Sequence, residues 1–60
     1  MSWTKTYEVC FSILNEDGTC DSGNAYLTTQ VQAFMNQRAE AQIRGAYGRN
    51  CQIHSCIQVD

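Results

Sequence analysis

The sequence predicts an α+β domain: a ββαβ chain whose three-stranded, mainly antiparallel sheet runs in the order 2-1-3, with one helix packed on one face. Three stretches carry that expectation. YEVCFSIL at 7–14 alternates apolar and polar residues, the period-two mark of a strand with one buried face. QRAEAQIRGAY at 37–47 is rich in alanine, glutamine and arginine, which are good helix formers. CQIHSCIQV at 51–59 again alternates. Sixty residues with no proline make one small domain spanning 1–60, whose margin of stability is thin.

Met1–Lys5 is a short lead-in whose one large aromatic residue is Trp3, expected to close one end of the core, the other reading being an exposed anchor for a partner. In the first strand Tyr7, Val9, Phe11 and Ile13 face inward, and Glu8, Cys10 and Ser12 outward. NEDGTCDSGN at 15–24 is a projecting turn, with Asp17 and Gly18 supplying the positive φ that hairpins require. Its acids do not have calcium-loop spacing.

The stretch 25–35 reads in two ways. As a strand, Leu27, Thr29, Val31, Ala33 and Met35 share one side, and Tyr26, Thr28, Gln30, Gln32 and Phe34 the other. As part of one long helix starting near Thr28 or Thr29, the residues Leu27, Val31, Phe34, Met35, Ala39 and Ile43 make a stripe. The β-branched and aromatic residues favour the strand, and Asn36 is a good N-cap for a helix after it. Gly48 is placed to end that helix.

A right-handed crossover through the helix makes strand three parallel to strand two, so the free place for it is beside strand one. The alternation suggests a register with Ile13 opposite Ile53, Phe11 opposite Ser55, Val9 opposite Ile57 and Tyr7 opposite Val59 on the core side. On the outer side Ser12 meets His54, Cys10 meets Cys56 and Glu8 meets Gln58. This register suggests one disulfide, Cys10–Cys56, and a second, Cys20–Cys51, if the cysteines are oxidised. The alternative is four reduced thiols, the expectation for a cytoplasmic chain. No apolar run of signal or membrane-span length is present, and a cytoplasmic location is expected.

Composition narrows the function classes. Four basic and six acidic residues give a net charge of −2, so a nucleic acid backbone is a poor partner. His54, Cys56, Cys10 and Glu8 are metal-capable, but H-x-C without a CxxC pair lacks the usual zinc spacing; no metal and no cofactor are expected. A flat sheet face on a chain this short offers little room for an active site, and no enzyme activity is expected. What remains is protein binding, through the bare sheet face or an open edge. The candidate contacts are Tyr26, Gln30, Phe34, Gln52, His54 and Gln58, and a homodimer through the same face or edge is a further expectation.

The stretches TTQVQAF and AEAQIRGAYGRNCQIHS, which combine a hairpin, a helix with a Tyr-Gly ending and a last strand, resemble small orphan proteins of bacteriophages and other mobile elements, including anti-CRISPR proteins. The resemblance is one of pattern over roughly residues 6 to 58 and carries no functional residue across. It implies a stoichiometric inhibitor that occupies the surface of a host protein. The alternative is a secreted or periplasmic binding domain stapled by disulfides.

Overall fold

A computed structural model describes residues 3–60. The elements are β1 (Lys5–Ile13), β2 (Leu27–Ala33), α1 (Asn36–Tyr47) and β3 (Cys51–Gln58), with a single 3-10 turn at Ser22–Asn24. The sheet has the order β2-β1-β3, with β1 antiparallel to both neighbours. The fold class and strand order are those expected, and 27–33 is a strand, not the start of a long helix.

Tyr7, Val9 and Phe11 of β1, Ala33 of β2, Ala39 and Ile43 of α1, and Cys51 of β3 form the core, flanked by half-buried Ile13, Leu27, Val31, Ile53 and Cys56. Phe11 is its centre, 1 % exposed, with its ring centroid 4.8 Å from that of Tyr47. Burying a side chain of this kind contributes roughly 2 kcal/mol, so a few residues hold the domain together. Trp3 is not among them: it is 82 % exposed, because the strand begins two residues later and leaves it beyond the end of the core.

The helix starts one residue earlier than the spacing suggests, with Met35 in the N-cap position and no side-chain cap. Gly48 ends it at φ 99° and ψ 173°, donating its N–H to the Arg44 carbonyl. That backbone region is essentially reserved for glycine.

The β1–β3 register departs from expectation. Phe11 pairs with Ile53, Ser12 with Gln52 and Ile13 with Cys51, yet Cys10 pairs with Ser55, Val9 with Cys56, Glu8 with Ile57 and Tyr7 with Gln58. A β-bulge at His54–Ser55 stands between the two halves, two residues opposing one. It reverses the facing of everything after it. Cys56 turns inward opposite buried Val9, and Gln58 follows it to the helix side. Ser55 and Ile57 turn outward. Unbulged alternation would instead have buried the Ser55 hydroxyl opposite an apolar side chain, at a cost of about 1–3 kcal/mol if left unpaired.

This removes the facing on which the suggested disulfides rest. Cys10 lies on the outer face and Cys56 on the inner one. For the second pair, the Cys20 thiol reaches the Ile13 carbonyl at 3.3 Å. The adjoining Leu14 N–H bonds Asn50, on the β3 side. Across a trans peptide the C=O and N–H point opposite ways, so Cys20 sits on the β2 side of β1. Cys51 sits on the β3 side, opposite Ile13, with β1 between them. All four cysteines are free thiols.

Candidate functional site: the uncovered sheet face

The helix covers one face of the sheet. The other presents Thr6, Glu8, Cys10 and Ser12 from β1, Thr28, Gln30 and Gln32 from β2, and Gln52, His54, Ser55 and Ile57 from β3, as the pairing dictates. Its most ordered feature is at the end where the chain enters β2. The Ser12 hydroxyl lies 2.7 Å from Nε2 of His54 and accepts the backbone N–H of Tyr26 at 3.1 Å. With one lone pair so occupied, the hydroxyl can give its own proton to Nε2 of a neutral imidazole. The His54 ring stacks on Tyr26, with centroids 4.8 Å apart and planes at 27°.

Tyr26 has φ 54°, the one non-glycine residue with positive φ among those described. For a bulky residue this left-handed backbone is costly, about 1–2 kcal/mol. The hydrogen bond to Ser12 holds it there. The result is a large aromatic ring, 72 % exposed, fixed by its neighbour's hydroxyl and by a ring beneath it.

Ser12 and His54 look like a nucleophile and its base, but Ser12 is only 4 % exposed. Its oxygen is engaged in positioning Tyr26 and His54. Ser12 was expected on this face only as a strand neighbour of His54. Its role as the joint between β1, β2 and β3 depends on the bulge and on the backbone of Tyr26, neither of which leaves a period in the sequence. Among the described residues no group of three metal-ligating side chains gathers.

Of the six candidate contacts, Tyr26, Gln30, Gln52 and His54 share this face. Gln58 does not: the bulge turns it away, and its amide donates to the Asp60 carbonyl. Phe34 does not either. β2 ends at Ala33, and Phe34 lies past a bend, in a cleft of about 380 Å³ with Thr4, Gln32, Arg38, Ala41 and Gln42 beside the helix. The seven residues of β2, roughly 23 Å of extended chain, separate it from Tyr26. Ile57, expected on the core side, is turned outward by the bulge to 58 % exposure. A serine in the presumed core row with a cysteine in the outer row was the available signal, since Cys is among the most buried residue types.

The edges differ. Thr6 faces β3, since its carbonyl accepts the Val59 N–H; the alternation then points the Gln32 carbonyl outward from β2. Gln42 of α1 donates to that carbonyl at 2.7 Å, closing this part of the β2 edge.

Burial raises the thiol pKa values of both inner cysteines. For Cys51 the nearby Arg44 opposes the effect, and for Cys56 Glu40 adds to it. In the projecting loop, the Thr19 hydroxyl and then its N–H bond the Asp17 carboxylate at 2.6 and 3.0 Å and lower its pKa. No helix among the described residues is long and apolar enough to cross a membrane. No family model matches the chain, and no curated protein or solved structure shows significant similarity to it.

Proposed function

We propose that this chain is a non-enzymatic protein-interaction module that docks through its uncovered sheet face, in the manner of a stoichiometric inhibitor or adaptor acting on a host protein. The observation that carries the reading is Tyr26: a highly exposed aromatic side chain held in a strained backbone by a buried hydroxyl. Strain of this kind is characteristic of functional positions, and rigid, exposed aromatics are the anchors of protein interfaces. Ile57 supports the same reading. The bulge leaves it exposed, and a partner covering this face would bury it. The side chains around the two, Thr28, Gln30, Gln52 and Ser55, are uncharged donors and acceptors suited to an interface rim.

The test places a photo-crosslinking phenylalanine analogue at position 26 and, in a second protein, at Ala41 on the helix. Irradiation in lysate of the cells that express the chain should yield one discrete protein adduct from position 26 and none from position 41. Labelling from position 41 alone, or the same adducts from both, would refute the assignment of the face.

A further inference from the structure

The charges are sorted by face. The sequence has four cations, Lys5, Arg38, Arg44 and Arg49. Arg38 and Arg44 lie on α1, and Arg49 follows it in the turn to β3. Lys5 pairs with Ala33, in the row of β1 that faces the helix. None belongs to the uncovered face. That face carries Glu8, paired between Gln30 and Ile57. At one rim, the Thr6 backbone and hydroxyl hold the Asp60 carboxylate at 2.9 and 3.0 Å. At the other end, beyond Tyr26, the loop brings Glu16, Asp17 and Asp21. Of the six acids only Glu40 lies on α1, 3.8 Å from Arg44.

Resting on the reading of this face as a protein-docking surface, we infer that its partner is a cationic protein segment that lays an arginine on the Tyr26–His54 stack. The chemistry fits on three counts. The face has negative charge along its length and, among the described residues, no lysine or arginine to repel a basic segment. The exposed tyrosine ring offers a π face to a guanidinium, which stacks on aromatics better than an ammonium does. Glu8 is four residues along β1 from Ser12, roughly 13 Å in an extended strand. A second arginine four residues from the first would meet it.

The probe is a capped five-residue peptide, arginine at both ends and glycine-serine-glycine between, titrated into the full-length chain and followed by backbone amide NMR. The control peptide carries neutral citrulline in place of both arginines. The arginine peptide should give saturable shifts at Glu8, Tyr26, Thr28 and His54. The citrulline peptide should bind at least tenfold more weakly. Glu8→Gln, an exposed substitution on a folded sheet, should weaken the arginine peptide several-fold, and added salt should do the same. Equal binding of the two peptides, shifts confined to helix residues, or no shift at all would overturn the inference. So would a concentration-dependent dimer in sedimentation that buries Tyr26, since a second copy would then be the occupant. The crosslinking test separates the two levels: an adduct at position 26 with a partner surface lacking cations leaves the docking face standing and removes the arginine.

Discussion

The Ser12 hydroxyl sits 2.7 Å from His54 Nε2, and the same oxygen holds the Tyr26 backbone N–H at 3.1 Å. One short side chain in the central strand thus fixes a bulged residue on one neighbour and a strained residue at the start of the other. Ser12→Ala removes both bonds and leaves the Tyr26 N–H unpaired. We expect a loss of about 1–2 kcal/mol in denaturant unfolding. Loss of the interstrand proton contacts between the Tyr26 and His54 rings should accompany it. A variant of unchanged stability with the rings still stacked would show that the hydroxyl is dispensable.

The core tolerates little. Phe11 is fully buried against Tyr47 and the inner residues of the helix. Phe11→Ala should cost about 3–5 kcal/mol, a large share of what a domain of this size has. The variant should be substantially unfolded by circular dichroism at 25 °C.

The thiols should separate by reactivity. Alkylation at pH 8 followed by mass spectrometry should modify exposed Cys20 first. Cys51 and Cys56 should come last, because burial both shields them and raises their pKa. Rapid modification of Cys56 would contradict its inward facing, and with it the bulge.

Asp17 should titrate below 3.8, the ordinary value, because hydrogen bonds from Thr19 favour the charged form. A depressed folded pKa means that this carboxylate supports the folded loop at pH values above 3.8. That support is lost as the pH falls through the lowered value. The Thr19 amide resonance reports it directly, and a midpoint at or above 3.8 would count against the turn as described.

The alternation of Tyr7, Val9, Phe11 and Ile13 made β1 legible, whereas Tyr26, Thr28, Thr29 and Val31 only favoured a strand over a long helix at 25–35; β2 spans Leu27–Ala33 and leaves Tyr26 outside it. The order of strands followed from the handedness of the crossover. The bulge left one trace, a serine in the expected core row beside a cysteine in the outer row, but both bulged residues are polar, so the alternation itself did not mark it. That one residue moved Cys56 and Gln58 to the inner side and Ile57 to the outer. Tyr26 and His54 could be placed on one face, but their stacking depends on a left-handed backbone at a tyrosine. Sequence preferences assign that conformation to glycine or asparagine. Phe34 was misplaced because the expected strand ran on to residue 35, whereas β2 ends at Ala33 and a bend follows.

The most direct measurement is affinity capture from lysate of the expressing cells by immobilised wild-type chain and by Tyr26→Gly at equal density. Glycine relieves the positive φ while deleting the exposed ring. Its stability should therefore stay within about 1 kcal/mol of wild type, which melting of the two proteins would verify first. One protein should be retained in stoichiometric amount by the wild type and lost from the folded variant. Equal retention of that protein by both would contradict the assignment of the Tyr26 face as the docking surface.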